Sequence, residues 1–98
     1  MKIIIVGAGK LGMRLAKAMD AEKFDVTLVD QNPKKAERAS EQLDVLTLEG
    51  NGLDISFLKS IEIAKYDLLV AVTDSDAGNI VICDFAKKLG CKKTIARV

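Results

Sequence analysis

The sequence predicts an α/β fold: a parallel sheet in strand order 3-2-1-4-5, doubly wound so that helices cover both faces. Three observations carry that expectation. Short apolar runs without polar alternation recur along the chain, as strands buried on both faces require. Stretches with helical spacing separate them, so successive strands run parallel through right-handed crossovers. The first run leads straight into Gly7-Ala8-Gly9-Lys10-Leu11-Gly12 and a helix, which puts a ligand crevice where the strand order reverses, between the first and fourth strands. This is the Rossmann-type arrangement.

The first strand is Ile3, Ile4, Ile5 and Val6. Gly12, Leu15, Ala16 and Met19 follow at 3-4 spacing, so a helix begins inside the glycine motif. Gly7 then permits the tight turn, Gly9 lets a pyrophosphate approach the backbone, and Gly12 lets the helix lie against the strand. The helix N-terminus offers free N–H groups and partial positive charge to an anion. Phe24, Val26, Leu28 and Val29 read as the second strand, closed by Asp30 at the sheet's C-terminal edge. A carboxylate there accepts both ribose hydroxyls of an adenosine and repels a 2′-phosphate, which implies NAD or an adenine nucleotide and not NADP. Gln31, beside it, joins the candidate binding set. The alternative role for Asp30 is to open the turn to Pro33, although Asn32 is able to cap the next helix alone.

That second helix spans Asn32 to Gln42, with Ala36, Ala39 and Leu43 on one side, and Leu43 to Leu48 is a third, shorter strand. Glu49-Gly50-Asn51-Gly52 is a turn cluster, and Asp54 N-caps a third helix carrying Leu58, Ile61 and Ala64. Leu68 to Val72 is the fourth strand, broken at Thr73-Asp74-Ser75-Asp76. A fourth helix runs to Leu89, ended by Gly90, and Lys93 to Val98 forms the fifth strand. Ile80, Val81, Ile82, Cys83, Phe85, Ala86 and Leu89 make a stripe on the fourth helix wider than one sheet face needs. Part of it is expected to meet something else, either a continuation of the chain or a second copy.

A length of 98 residues suits one domain, 1–98, without room for a separate catalytic domain. With 15 basic against 14 acidic residues and a net charge of +1, no basic field points to nucleic acid or anionic lipid. The apolar runs fall far short of the roughly 20 residues of a membrane helix, so direct insertion is not expected. The chain opens into a core strand without a signal peptide, which implies a cytoplasmic protein. It has no histidine, and its two cysteines, Cys83 and Cys91, form no CxxC, so neither a metal site nor an activated thiol is expected. Cys83 reads as core and Cys91 as a turn residue. Tyr66 has Val70 four residues on where a lysine would lower its pKa, which argues against hydride-transfer catalysis and for a protein that is not an enzyme. The rivals are an NAD-dependent dehydrogenase fragment and a binder of S-adenosylmethionine.

GAGKLG, Asp30, Glu49-Gly50-Asn51-Gly52, the run Val70 to Asp76 with Asn79 and Ile82-Cys83, and Lys93 to Arg97 together resemble the N-terminal RCK or KTN domain of Trk-type potassium-uptake regulators. The resemblance spans essentially the whole chain and implies a non-enzymatic regulator that binds NAD(H), or ATP or ADP. It also implies assembly as a homo-oligomer on a membrane potassium transporter or channel subunit, peripheral to the inner face of the cell membrane. By the same resemblance Gly7 to Gly12 would hold phosphates, Asp30 the ribose, and Asn51 with Gly52 the adenine. Thr73, Asp74 and Ser75 would meet the phosphate or nicotinamide end, and Arg97 a phosphate or a neighbouring subunit's ligand. Relatives continue into a sixth strand, before which this chain stops. Each assignment has a plainer counterpart: Asn51-Gly52 as a turn pair, Thr73 to Asp76 as an N-cap cluster, Lys10 and Arg97 as surface charges.

Overall fold

β1 (Lys2–Val6) is the centre of a five-stranded parallel sheet whose order is the expected 3-2-1-4-5. The computed structural model describes residues 1–98. The remaining elements are α1 (Lys10–Ala21), β2 (Asp25–Asp30), α2 (Pro33–Gln42), β3 (Leu46–Glu49), α3 (Ile55–Ser60), a single 3-10 turn Ile63–Lys65, β4 (Leu68–Ala71), α4 (Asp76–Lys88) and β5 (Lys93–Ala96). In register, Ile5 stands between Leu28 and Val70, and Val6 between Val29 and Ala71.

The unbroken apolar runs are explained by two cores. Ile3, Ile5, Val26, Leu28 and Val70 face one way and pack with Ala16 of α1 and Ala39 of α2. Ile4, Val6, Val29, Leu69 and Ala71 face the other way, against Leu58 of α3 and Ile82 and Ala86 of α4. Successive residues of a strand point to opposite faces, so a strand covered on both sides has no polar position to alternate with. Thr27, buried in β2, is satisfied by Tyr66, whose hydroxyl donates to it at 3.0 Å.

Local chemistry sets most of the boundaries. Asn32 caps α2 by accepting the Lys34 amide at 2.9 Å, and Asp54 caps α3 by accepting that of Ser56 at 2.9 Å. Gly90, at φ 109°, ends α4. Its amide bonds Lys87 O at 3.1 Å and that of Cys91 bonds Ala86 O at 3.0 Å, the Schellman pairing.

Several expected boundaries differ. α1 starts at Lys10, two residues before Gly12, because Gly9 already serves as its N-cap. β2 omits Phe24, whose amide returns to Met19 O after Lys23 takes a left-handed φ of 69°. β3 begins at Leu46 and not Leu43. The Leu43 amide still closes α2 on Ala39 O, and pairing with β2 starts at Thr27 opposite Leu46. The third helix stops at Ser60, because Glu62 adopts φ 57°; Ile63 is buried in the following 3-10 turn while Ala64 faces solvent. β5 ends at Ala96, with Arg97 still bonded to Ala71 O at 2.9 Å. On α4, Ile82, Cys83 and Ala86 are buried, whereas Ile80 and Val81 are exposed, as is Ile95 of β5.

Candidate functional site

The glycine turn separates three demands. Gly7 sits at φ 118°, and a Cβ there would come within 2.8 Å of the Val72 carbonyl. A Cβ on Gly12 would run into the Gly7 carbonyl, so the contact between α1 and the end of β1 excludes any side chain. Around Gly9 a Cβ would meet nothing within 4 Å. The protein itself does not need glycine at that position.

The amides divide in the same way. Gly7 donates to Val29 O at 2.7 Å, and the buried Ala8 donates to Asp30 Oδ2 at 2.8 Å. No acceptor in the chain takes the amides of Gly9, Lys10, Leu11 or Gly12, and the first bonded amide is Met13, to Gly9 O at 3.0 Å. Four donors at the positive end of α1 are left for an anion. Of the run from Gly7 to Gly12 expected to meet phosphate, Gly7, Gly9, Lys10 and Leu11 line the cleft, whereas Ala8 and Gly12 are buried and do not.

Asp30 takes the turn role considered for it and also borders the cleft. Its Oδ1 accepts the Asn32 amide at 2.8 Å, fixing the turn into α2, while Oδ2 holds Ala8 and the half-buried carboxylate still borders the cleft. Each carboxylate oxygen has a second lone-pair site, so ribose hydroxyls retain acceptors.

The cleft measures about 560 Å³ and opens at the C-terminal edge of the sheet, within the range of about 300–1,000 Å³ usual for ligand sites. Gly7, Gly9, Lys10 and Leu11 line one side, and Asp30 with Gln31 the next. Asn51 and Gly52 come from the loop after β3; Thr73, Asp74 and Ser75 come from the loop after β4, and Arg97 from the end of β5. Asn51 also builds its own turn, Oδ1 accepting the Leu53 amide at 2.9 Å. Gly52 lies on the apolar floor, where a Cβ would stand 3.0 Å from Val6 Cγ1 and 3.1 Å from Ile82 Cδ1. Ser75 is the N-cap of α4, accepting from Gly78 at 2.9 Å.

Asn79, fully buried on α4, organises the far side. Its Oδ1 accepts the Thr73 amide at 2.9 Å and the Thr73 hydroxyl at 2.5 Å. Its Nδ2 donates to Thr73 O at 3.1 Å and to Arg97 O at 3.0 Å. The Thr73 hydroxyl is therefore committed within the loop, and one amide side chain ties the loop after β4 to the end of β5. Asn79 gave no signal as a cap or turn residue, because its partners come from two other segments.

Lys10, Arg14, Lys35 and Arg97 line the cleft against Asp30 and Asp74. The chain's three ion pairs, Glu62–Lys65, Asp84–Lys88 and Asp67–Lys92, all lie elsewhere. Arg14 and Lys35 were not anticipated; the spacing of Arg14 from Lys10, one helical turn, was the available clue. A nucleotide polyphosphate fits this site: open amides, space over Gly9 and unpaired cations all answer one chemistry. Neither a histidine nor a tyrosine lines the cleft. The hydroxyl of Tyr66 is buried against Thr27, outside the cleft. Burial pushes both the Cys83 and Cys91 thiols up, and Cys91, which follows the Gly90 turn, is buried with Sγ 3.4 Å from Lys93 O. No group of three or more His, Cys, Asp or Glu side chains is placed to hold a metal, and no helix is long and apolar enough to cross a membrane.

Residues 3–98 match the family model described as the TrkA-N domain. The chain is 40% identical over 98 residues to the Trk system potassium uptake protein trkA homolog 1 of Methanosarcina mazei, covering 98% of this chain and 24% of that protein. It spans less than half the length of the curated relatives it matches. In fold it is similar to the NAD(P)-binding domain of an exopolyphosphatase-related protein from Archaeoglobus fulgidus, with a TM-score of 0.87 at 21% identity over 98% of this chain and 71% of that one. It is also similar to the Kef C-terminal domain of Shewanella denitrificans in its AMP-bound form, with a TM-score of 0.78 at 21% identity over 97% of this chain and 57% of that one.

Proposed function

Because this chain belongs to the TrkA-N domain family, we propose that it is the nucleotide-sensing regulatory part of a potassium uptake system, with NAD(H), or alternatively ATP or ADP, in the cleft. The observation that carries this is Gly9: open space where a side chain would stand, beside four unused amides and four unpaired cations. A diphosphate there meets donors and charge together, with its ribose at Asp30. The potassium uptake name of the relatives supports the transport role, and the AMP-bound neighbour supports adenine nucleotide chemistry on this fold.

The regulatory partner is a membrane potassium transporter or channel subunit, approached from the cytoplasmic side, and the domain works as a homo-oligomer. The exposed Ile80, Val81 and Ile95 are the apolar surface available for assembly. Control requires that the nucleotide bind two domain arrangements unequally, since equal affinity would shift nothing. Asn79 is the feature suited to that task, because it joins a cleft loop to the last strand. Hydride transfer is disfavoured because the cleft has no histidine and the one tyrosine, Tyr66, lies outside it. S-adenosylmethionine, a cation without phosphate, is disfavoured by the unpaired Lys and Arg side chains.

Calorimetry with NADH, ATP, ADP and S-adenosylmethionine tests the reading, alongside mass spectrometry of any co-purified ligand. NADH or an adenine nucleotide should bind and S-adenosylmethionine should not. Asp30→Ala should weaken nucleotide binding by about 1.5–3 kcal/mol, the range for hydrogen bonds to a charged group. It should also lower the melting temperature, since the amides of Ala8 and Asn32 lose their acceptor. Turnover of nicotinamide absorbance with alcohols or ketones would overthrow the regulatory role.

A further inference from the structure

The loop after β3 turns at Asn51 and Gly52, and it leaves one of its amides uncommitted. Asn51 is exposed and Gly52 is buried, and both line the cleft. The Asn51 carbonyl accepts the Asp54 amide at 2.9 Å, and its side-chain Oδ1 accepts the Leu53 amide at 2.9 Å. Between these two bonds the Gly52 amide has no acceptor in the chain. Main-chain N–H groups of buried residues are seldom left so.

Because Oδ1 reaches past Gly52 to Leu53, the Asn51 side chain is folded forward along the chain, which brings its carbonyl carbon to the side of the Gly52 nitrogen. A bond between Asn51 Cγ and Gly52 N closes a five-membered ring, and such intramolecular attack has a high effective concentration. The Leu53 amide stands where charge develops. As the nitrogen adds, Oδ1 becomes an oxyanion that already has a donor at hydrogen-bond distance. Glycine supplies the last condition, since its nitrogen is not crowded by a side chain. The chain's other asparagines lack these conditions. Asn32 precedes Pro33, whose nitrogen has no proton to lose, and Asn79 is fully buried with its amide committed to Thr73 and Arg97.

We propose that Asn51 is a self-modification site, at which the Gly52 nitrogen converts the side-chain amide into a carboxylate and so places a new negative charge in the cleft wall. The Gly52 proton passes to hydroxide, the nitrogen bonds to Asn51 Cγ, and the bond from Cγ to Nδ2 breaks, releasing ammonia and closing a succinimide. Water then adds to one of the two ring carbonyls. Opening at Cγ gives aspartate, and opening at the main-chain carbonyl gives isoaspartate. One water is consumed and one ammonia leaves, with no change of oxidation state. The site does not depend on what the cleft binds. Its control does rest on the nucleotide reading: a ligand lying over Gly52 keeps hydroxide from the amide, so the charge accumulates in chains whose cleft stands empty.

Incubation of the chain in heavy-oxygen water, at mildly alkaline pH and physiological temperature, tests the proposal by peptide mass spectrometry. The peptide holding Asn51 should exchange its amide for an acid carrying one heavy oxygen, about tenfold or more ahead of Asn32 and Asn79. Conversion should be at least as fast as in the urea-unfolded chain. Asn51→Gln, whose attack must close a six-membered ring, should keep its amide. The proposal is overturned if the folded chain converts Asn51 more slowly than the unfolded one, for then the turn protects the amide, or if neither converts it. Saturating NADH, where calorimetry shows it to bind, should slow conversion about tenfold or more, as a cleft occupied nine-tenths of the time or longer requires. Unslowed conversion in that complex overturns the ligand control. If no nucleotide binds and Asn51 still converts, the nucleotide reading falls and the modification site stands.

Discussion

At the N-terminal edge of the sheet the polar groups close on one another. Asp67 accepts the Lys2 amide at 2.7 Å and stands 3.8 Å from Lys92 Nζ, while Lys2 Nζ lies 4.9 Å over the Tyr66 ring. At the C-terminal edge Lys10, Arg14, Lys35 and Arg97 stay unpaired, and the amides from Gly9 to Gly12 find no acceptor. Both edges belong to the same five strands. The difference lies in what parallel winding delivers to each: helix N-termini gather only at the strands' C-terminal ends, so uncommitted donors and positive potential collect there. The closed edge serves stability, and the open one leaves its donors and cations without partners in the chain.

Substitutions at the open edge should split into those that the protein feels and those that only a ligand feels. The largest effect is expected from Gly12→Ala. Its methyl must displace the Gly7 carbonyl, and a loss of about 3 kcal/mol or more, the upper end for overpacking, should appear in urea unfolding together with loss of nucleotide binding. Asn79→Leu comes next. It leaves the Thr73 amide and the Arg97 carbonyl without their partner at a fully buried position and should cost about 2–3 kcal/mol. Hydrogen exchange should rise at Thr73 and along β5 but not in β2.

Gly9→Ala should reverse that pattern: unfolding changed by about 0.5 kcal/mol or less, because the added methyl meets nothing, with nucleotide affinity clearly reduced. A stable variant with full affinity would place the diphosphate elsewhere. The smallest effect belongs to the closed edge. The Lys2 amide, with help from Lys92 and the N-terminus, holds the Asp67 carboxyl below the ordinary aspartate value of 3.8. The stabilisation is then complete above that value and is lost as pH falls through the lower folded-state value. Asp67→Asn should therefore melt slightly earlier at neutral pH, converge with the parent in acid, and bind nucleotide normally.

How much of this was legible before folding depended on the range of the cause. Asn32 before Pro33, Asp54 and Gly90 act on amides and carbonyls within a few residues, so helix ends could be read directly. Glu62 in a left-handed conformation was not readable, since nothing in its side chain asks for it; the need to bury Ile63 beneath β4 decides that break. Asp30 was legible as a cleft residue. Its grip on Ala8 was not, because that bond crosses from the end of β2 to the turn after β1. The cations of the cleft lie on separate elements that only packing brings together.

Sequence alone determined the order of the strands, the position of the crevice and the identity of its glycine turn. Those follow from hydrophobic runs, crossover handedness and backbone freedom, which act locally or along the chain. Tertiary structure decided which of the turn's amides remain available, that Asn79 joins Thr73 to Arg97, and that four basic side chains share one cleft. Each of these is a juxtaposition of distant segments, and a buried polar group acquires its partner only when the sheet has closed around it.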